Sequence, residues 1–437
     1  MSPRSRWARL LPLVLAGVTT AASLHDAPLR RQPSVTPTGT TINFTNVANP
    51  FNFNVVDLAG DNQVIYVANI TIDGRSYEVQ LDTGSSDLWL NTQNITLSSA
   101  ANDTNISTSV AYGDRTVASG DIFLAPAQLG NFSIPAQAFI SAPGTNATSD
   151  NDLGLMGLSS KNLSQIYERL QNTTFGGLPV LYNIFETYSN VSNFITFQLV
   201  RSKLGITEGG VFTIGDVDPN LSAVLNQTQL PVIEALNQWV VFMDGIVVDG
   251  KKFTGHGFLP ATKNKTVALV DSGTSLGEIP QYYWDAIYGD IPGVELVNAG
   301  AGIYEVPCDL KRNVSLIFNG TEYPLNPLDL SYISNVGDFS DGSNVTLCLN
   351  TFSPMDLSNQ DLDFILGDAF MRNVYALFNF GNWTDSSECA PPPYIQMLST
   401  TNQSEAWAQF DDAQNARIQQ WIELQGQFNA TNATNAS

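Results

Sequence analysis

The sequence predicts a mostly β protein made of two related halves, and three observations carry that expectation. Most of the chain consists of short runs rich in Val, Ile, Thr, Phe and Tyr, punctuated by Gly, Asn, Asp and Pro. The pattern Asp-Thr/Ser-Gly-Thr/Ser-Ser occurs twice, as Asp82-Thr83-Gly84-Ser85-Ser86 and as Asp271-Ser272-Gly273-Thr274-Ser275. The 437 residues suffice for two lobes, each with its own core. Helical runs are few, as in sandwiches and barrels.

From the N-terminus, residues 1–22 read as a secretory signal. Arg4, Arg6 and Arg9 precede the apolar run Leu10–Val18, and the small residues Ala21-Ala22 suit cleavage. A membrane anchor would need about 20 apolar residues, more than this run has. Residues 23–50 then read as a leader. Arg30-Arg31 is its only basic cluster and resembles a dibasic processing site, which suggests a short propeptide ending at Arg31.

An N-terminal lobe is expected over residues 51–230 and a C-terminal lobe over 231–400. Ile65–Thr71 reads as a strand before the turn Asp73-Gly74, and Val240–Val248 as a strand before Asp249-Gly250. Tyr77–Leu81 and Thr266–Val270 are apolar strands that each deliver an aspartate to a tight turn. Tyr112-Gly113-Asp114 reads as the mobile tip of a hairpin. Leu153–Leu158 and Phe364–Phe370 place a glycine beside an Asp-bearing strand, one in each half. Ser164–Leu170 reads as a helix capped by Ser164, and Tyr282–Tyr288 as one started near Pro280. Residues 401–437 form an Ala- and Gln-rich extension, either a helix packed on the body or a poorly ordered tail.

Composition narrows the function. A formal net charge of −22 makes nucleic acid and anionic membrane surfaces poor partners and suits an acidic environment. No later segment is long and apolar enough to span a bilayer. About twenty Asn-x-Ser/Thr sites, Asn69, Asn94, Asn131, Asn226, Asn313 and Asn344 among them, agree with a glycosylated secretory product. In an oxidising compartment two of the three cysteines should pair. Cys308 and Cys348 each lie beside a strand-like run and are the expected bridge, which leaves Cys389 over. Its loop of about 40 residues would contribute about 3–4 kcal/mol. Three cysteines and two histidines without metal-like spacing argue against a metal site, and no cofactor is implied. His25 belongs to the leader region and His256 to a loop, so Ser–His and Cys–His hydrolase mechanisms are disfavoured.

Two carboxylates in matching contexts can share a proton and activate water. With Asp-Thr-Gly-Ser-Ser-Asp-Leu-Trp, Tyr-Gly-Asp and Ile-Leu-Gly-Asp in that order, the chain resembles the pepsin-like aspartic peptidases, most closely the fungal secreted ones, from about Tyr66 to Leu398. The resemblance implies two β-barrel-like lobes flanking a cleft, a monomer, protein and peptide substrates, and Asp82 with Asp271 as the catalytic pair. It implies that Thr83 and Ser272 lock the two loops together and that Gly84 and Gly273 approach the pair closely. Ser85, Thr274 and Ser275 are expected near the substrate backbone. Tyr112, Gly113 and Asp114 would form a flap, with Trp89 behind Tyr112. Gln80 and Asp152 fall where relatives often place apolar residues that line the pocket before the scissile bond, so with Asp114 they suggest acceptance of Lys there as well as of large apolar residues. Leu153, where the family often has Asp, is a departure, as is the absence of Lys between residues 22 and 64. A non-catalytic binding protein of the same fold is the rival reading, but such a protein would lack an aspartate or the flap. Against a narrow processing protease held at the cell surface, the missing anchor signal argues against the tether, though not against narrow specificity.

Overall fold

The computed structural model describes residues 40–48, 64–148, 153–201, 206–258, 265–338, 344–384 and 390–435. The signal segment, Arg30-Arg31, His25, Asp152 and Cys389 lie outside the described residues.

The chain is predominantly strand, and its halves repeat one three-strand unit. In the first half, β1 (Arg75–Asp82), β2 (Leu88–Leu90) and β3 (Gly154–Gly157) pack with β3 in the middle, parallel to β1 and antiparallel to β2. In the second, β4 (Thr266–Val270), β5 (Gly277–Ile279) and β6 (Phe364–Leu366) do the same, with β6 between a parallel β4 and an antiparallel β5. Three strands bonded in this way fix the end of the first strand in each unit, and there each aspartate sits. All four residues of β3 and all five of β4 are buried. They read as nearly continuous apolar runs because neither face meets water.

A 13-stranded sheet crosses the expected lobe boundary near residue 230. Phe194–Leu199 from the first half pairs with Val374–Asn379 from the second, which in turn pairs with Tyr394–Ser399. Thr40–Ala48, within the segment expected as leader, is a strand of the same sheet and pairs with Ile206–Ile214 and with Val64–Ile72.

The run expected as one strand over Val240–Val248 is two. Val240–Met243 pairs with β4, whereas Gly245–Val248 pairs with Lys251–Thr254 and Val314–Phe318 in another sheet. Gly245, at φ +139°, makes the break: a Cβ there would collide with the Phe253 carbonyl.

Five helices matter here. α1 (Gln165–Leu170) starts at Ser164, whose hydroxyl accepts from the Tyr167 N–H at 3.0 Å, as its sequence predicts. α2 (Val180–Thr187) follows Pro179 and buries Leu181, Ile184 and Phe185; its β-branched and aromatic content hides it among the strand-like runs. α3 (Gln281–Tyr288) follows Pro280, and α4 (Asp368–Met371) follows Gly367. The extension is α5 (Gln403–Asn435), a helix rather than a tail. It buries Ala406, Phe410, Gln414 and Trp421, a stripe of helical period. Gln414 donates to the Cys308 carbonyl at 2.7 Å, and Lys311 pairs with Asp411 at 2.8 Å. Cys308 and Cys348 form the expected disulfide, with Cα atoms 5.2 Å apart. Asn69, Asn94, Asn131 and Asn226 are exposed and Asn313 is half-buried.

Candidate active site

Each aspartate sits in the same set of hydrogen bonds. Asp82 Oδ1 accepts from the Gly84 N–H at 2.7 Å, and Oδ2 from the Ser85 hydroxyl. Asp271 Oδ1 accepts from the Gly273 N–H at 2.8 Å, and Oδ2 from the Thr274 hydroxyl at 2.7 Å. These donors hold each carboxyl at a fixed angle from the tight turn that follows its strand.

The two loops are joined beneath the aspartates. The Thr83 hydroxyl donates to the Val270 carbonyl at 2.9 Å and accepts from the Ser272 N–H at 2.9 Å. Reciprocally, the Ser272 hydroxyl donates to the Leu81 carbonyl at 2.8 Å and accepts from the Thr83 N–H at 3.1 Å. Both side chains are fully buried, so each of these backbone groups depends on the partner hydroxyl.

The glycines allow the approach. A Cβ on Gly84 would lie 2.7 Å from Asp271 Oδ1; one on Gly273 would overlap Asp82 Oδ1 and lie 3.2 Å from Asp271 Oδ1. Both carboxyls therefore border one point. Only 4 % of Asp82 and 7 % of Asp271 is exposed. Burial pushes the Asp82 carboxyl well above the usual carboxylate range, and the charge of Asp271 adds to it against the donors Ser85 and Gly84.

Asn102–Ala111 and Val117–Leu129 form a hairpin with Tyr112, Gly113 and Asp114 at its tip. The Trp89 indole donates to the Tyr112 hydroxyl at 2.6 Å. Burial, then the charge of Asp82, raises the Tyr112 phenol. Asp114 is exposed, and its Oδ1 accepts from the Thr116 N–H at 2.9 Å and the Thr116 hydroxyl at 2.7 Å. Gln80 donates to the Gly273 carbonyl at 3.0 Å, so both expected specificity residues within the described region are engaged by the protein itself. Ser275 is buried to 3 % behind its loop, as Ser86 is in the first half.

Three further residues carry the site without a role assigned to them from the sequence. Gln238 donates to the Gly84 carbonyl at 3.0 Å, the counterpart across the cleft of the Gln80–Gly273 bond. Asp87, buried, accepts from Ser164, Gln165 and Ile166 at the start of α1 and so anchors the first loop. Asp368, fully buried, begins α4, and neither of its oxygens has a hydrogen-bond partner. Burial pushes its carboxyl well up, Arg372 opposes, and Asp271 and Asp82 push it further. The signal for Asp87 was its place in the first motif; Gln238 has none, because it meets Gly84 from 154 residues away.

Residues 65–386 match the family described as eukaryotic aspartyl protease. Major aspartyl peptidase 1 of Cryptococcus neoformans is 25% identical over 342 residues, covering 72% of this chain and 66% of that one. The vacuolar aspartic protease of Candida albicans is 28% identical over 326 residues, 70% of each chain. Among solved structures, the aspartic proteinase of Irpex lacteus superposes with a TM-score of 0.62 at 18% identity, over 84% of this chain and 99% of that one. The fold is thus shared with an aspartic proteinase, and the match takes in both Asp loops and the hairpin between them. On this evidence the chain belongs to the eukaryotic aspartyl proteases, the pepsin-like family of aspartic peptidases.

Proposed function

We propose that the protein is a secreted endopeptidase that hydrolyses peptide bonds of proteins at acidic pH, with Asp82 and Asp271 as its catalytic pair. One observation carries the reading: two carboxyls from separate halves, in identical hydrogen-bond settings, border a single point. Like charges so placed cannot both ionise freely, so the pair holds one proton over the range where it works. The ionised member takes a proton from a water bound between them, and that water attacks the peptide carbonyl. The protonated member donates to the carbonyl oxygen as the carbon becomes tetrahedral. Return of the proton to the nitrogen expels the amine, and no covalent intermediate forms. The proton belongs to the pair, so the roles are assigned jointly.

The Gly84 and Gly273 N–H groups each hold one carboxyl oxygen and their lack of a Cβ admits the carboxyls, while Thr83 and Ser272 hold the loops in register. Ser85 and Thr274 orient the carboxyls from outside. Tyr112, Gly113 and Asp114 close over an extended peptide and exclude water, with Trp89 as the support behind. The raised Asp82 carboxyl and the net charge of −22 support work at acid pH. The signal-like N-terminus supports secretion. Haemoglobin or casein digestion at about pH 4, with and without a statine peptide of the pepstatin type, tests the reading. Digestion abolished by the inhibitor is the expected result; digestion that the inhibitor leaves intact would refute it.

A further inference from the structure

The two halves repeat residue for residue around their aspartates, and the repeat identifies a group that has no partner. Seven residues beyond Asp82 is Trp89; seven beyond Asp271 is Glu278. The pairings agree with the count: Trp89 lies opposite Leu155 and Leu88 opposite Met156, while Glu278 lies opposite Ile365 and Gly277 opposite Leu366. Two residues before the aspartates, Gln80 also lies opposite Leu155, and Leu269 opposite Ile365. Residues in register across neighbouring strands point to one face. The first half therefore has a row Gln80–Leu155–Trp89, and the second a row Leu269–Ile365–Glu278.

The first row faces the cleft. Gln80 reaches the Gly273 carbonyl of the other half, and Trp89 holds the hydroxyl of Tyr112, close enough to Asp82 to feel its charge. The second row occupies the equivalent wall. Ile279, beside Glu278 in β5, is 2 % exposed and turned into the core, so alternation sends Glu278 to the other face. Its side chain is half-buried, and Leu269 and Ile365 beside it are apolar. Asp271 lies near enough for its charge, after burial, to push the Glu278 carboxyl up. Among the described residues no hydrogen bond or ion pair reaches Glu278. The arginines and lysines that form ion pairs there, Arg201, Lys265, Lys311, Arg312 and Arg372, pair with other carboxylates. A carboxylate removed from water on an apolar wall lacks the donors that would stabilise its charge. A cationic side chain of an extended peptide would supply them.

We propose that Glu278 is a specificity-determining residue on the C-terminal wall of the cleft, which takes the Lys or Arg side chain of a bound peptide. The proposal rests on the peptidase reading and names a feature of its substrates. It also moves basic recognition away from the flap, where Asp114 is already held by Thr116.

The test is a set of matched peptides that carry Lys or its uncharged analogue norleucine at each position flanking the scissile bond. Cleavage by the full chain, Glu278→Gln, Glu278→Asp and Asp114→Asn is compared across the pH range of activity. The quantity read is the Lys-to-norleucine ratio of kcat/KM at each position. At one position the unmodified chain should favour Lys about tenfold, equivalent to about 1.4 kcal/mol. Glu278→Gln should bring that ratio to about one, while Glu278→Asp and Asp114→Asn keep a preference for Lys. The same peptides with a reduced scissile amide give binding ratios that decide the question independently of turnover. If neither peptide of a pair is cleaved but binding follows Glu278, the catalytic reading fails and this one stands. No preference for Lys in the unmodified chain, a preference that survives Glu278→Gln, or one that vanishes with Asp114→Asn would overturn it.

Discussion

The two halves share a backbone at the site and differ in what they place around it. Both run strand, aspartate, glycine, hydroxyl residue, and both bury a serine behind the loop. Beyond that frame the buried carboxylates differ: the first half has Asp87, held by Ser164, Gln165 and Ile166, and position for position Leu158 follows Gly157 after β3. The second half has Asp368 after Gly367, buried and without a hydrogen bond. The first half carries the hairpin that ends at Tyr112; the second carries the disulfide and receives α5. One backbone unit thus serves as a fixed mount, while its neighbours set protonation and access. Geometry is symmetric here and electrostatics are not.

The largest effect outside the chemistry is expected where an arginine from each half meets one carboxylate of the second. Asp329 is buried and held by Arg201 at 2.6 Å and Arg372 at 2.9 Å. Asp329→Ala leaves two guanidinium groups facing one another, and a loss of about 3–5 kcal/mol in denaturant unfolding is expected. Burial opposes ionisation of Asp329, but Arg201 and Arg372 outweigh it and hold the carboxyl below its usual value. Its contribution is therefore full above the ordinary carboxylate range and is lost as the pH falls through the lowered value. An unfolding midpoint unchanged by Asp329→Ala would show that the asymmetry carries no stability.

The latch between the halves comes next. Thr83→Val leaves the Ser272 N–H unpaired, and Ser272→Ala does the same to the Thr83 N–H. Each should cost about 1–3 kcal/mol. A double-mutant cycle should give a coupling of about 0.5–3 kcal/mol, since the hydroxyls form one network. Strict additivity would mean that the halves are held together elsewhere.

Asp368→Leu gives the second half the residue of the first and produces the smallest expected change. The native carboxyl keeps its proton above the range where the unfolded one loses it. Stability from that proton is present at low pH and declines as pH rises through the raised value. Urea midpoints between about pH 4 and pH 7 should thus fall less for Asp368→Leu than for the unmodified chain. The remaining decline comes from Asp82, Asp87 and Glu278, whose carboxyls burial also raises. An equal fall in both proteins would contradict the asymmetry.

Much of this was readable from the sequence because it is local. The two Asp motifs, the capping Ser164, the hairpin tip at Tyr112 and the helical spacing of Phe410 and Trp421 each show within a few residues. What was hidden is long-range or depends on one backbone angle. The split at Gly245 needs a positive φ, which the strand-like run Val240–Val248 does not announce. Gln238 meets Gly84, and Arg201 meets Asp329, only through the fold. The helix α2 could have been found from Pro179 and the spacing of Leu181, Ile184 and Phe185, a signal that its β-rich composition covers.

Proteolysis by Asp82→Asn, Asp271→Asn and the double variant, each shown to be folded, tests the central claim most directly. Two carboxyls that work as one proton-sharing unit should fail together: each single variant should lose at least about 10²–10⁴-fold in kcat, and the double little more. Substantial activity in either single variant, or losses that multiply in the double, would mean that the two aspartates do not act as a pair.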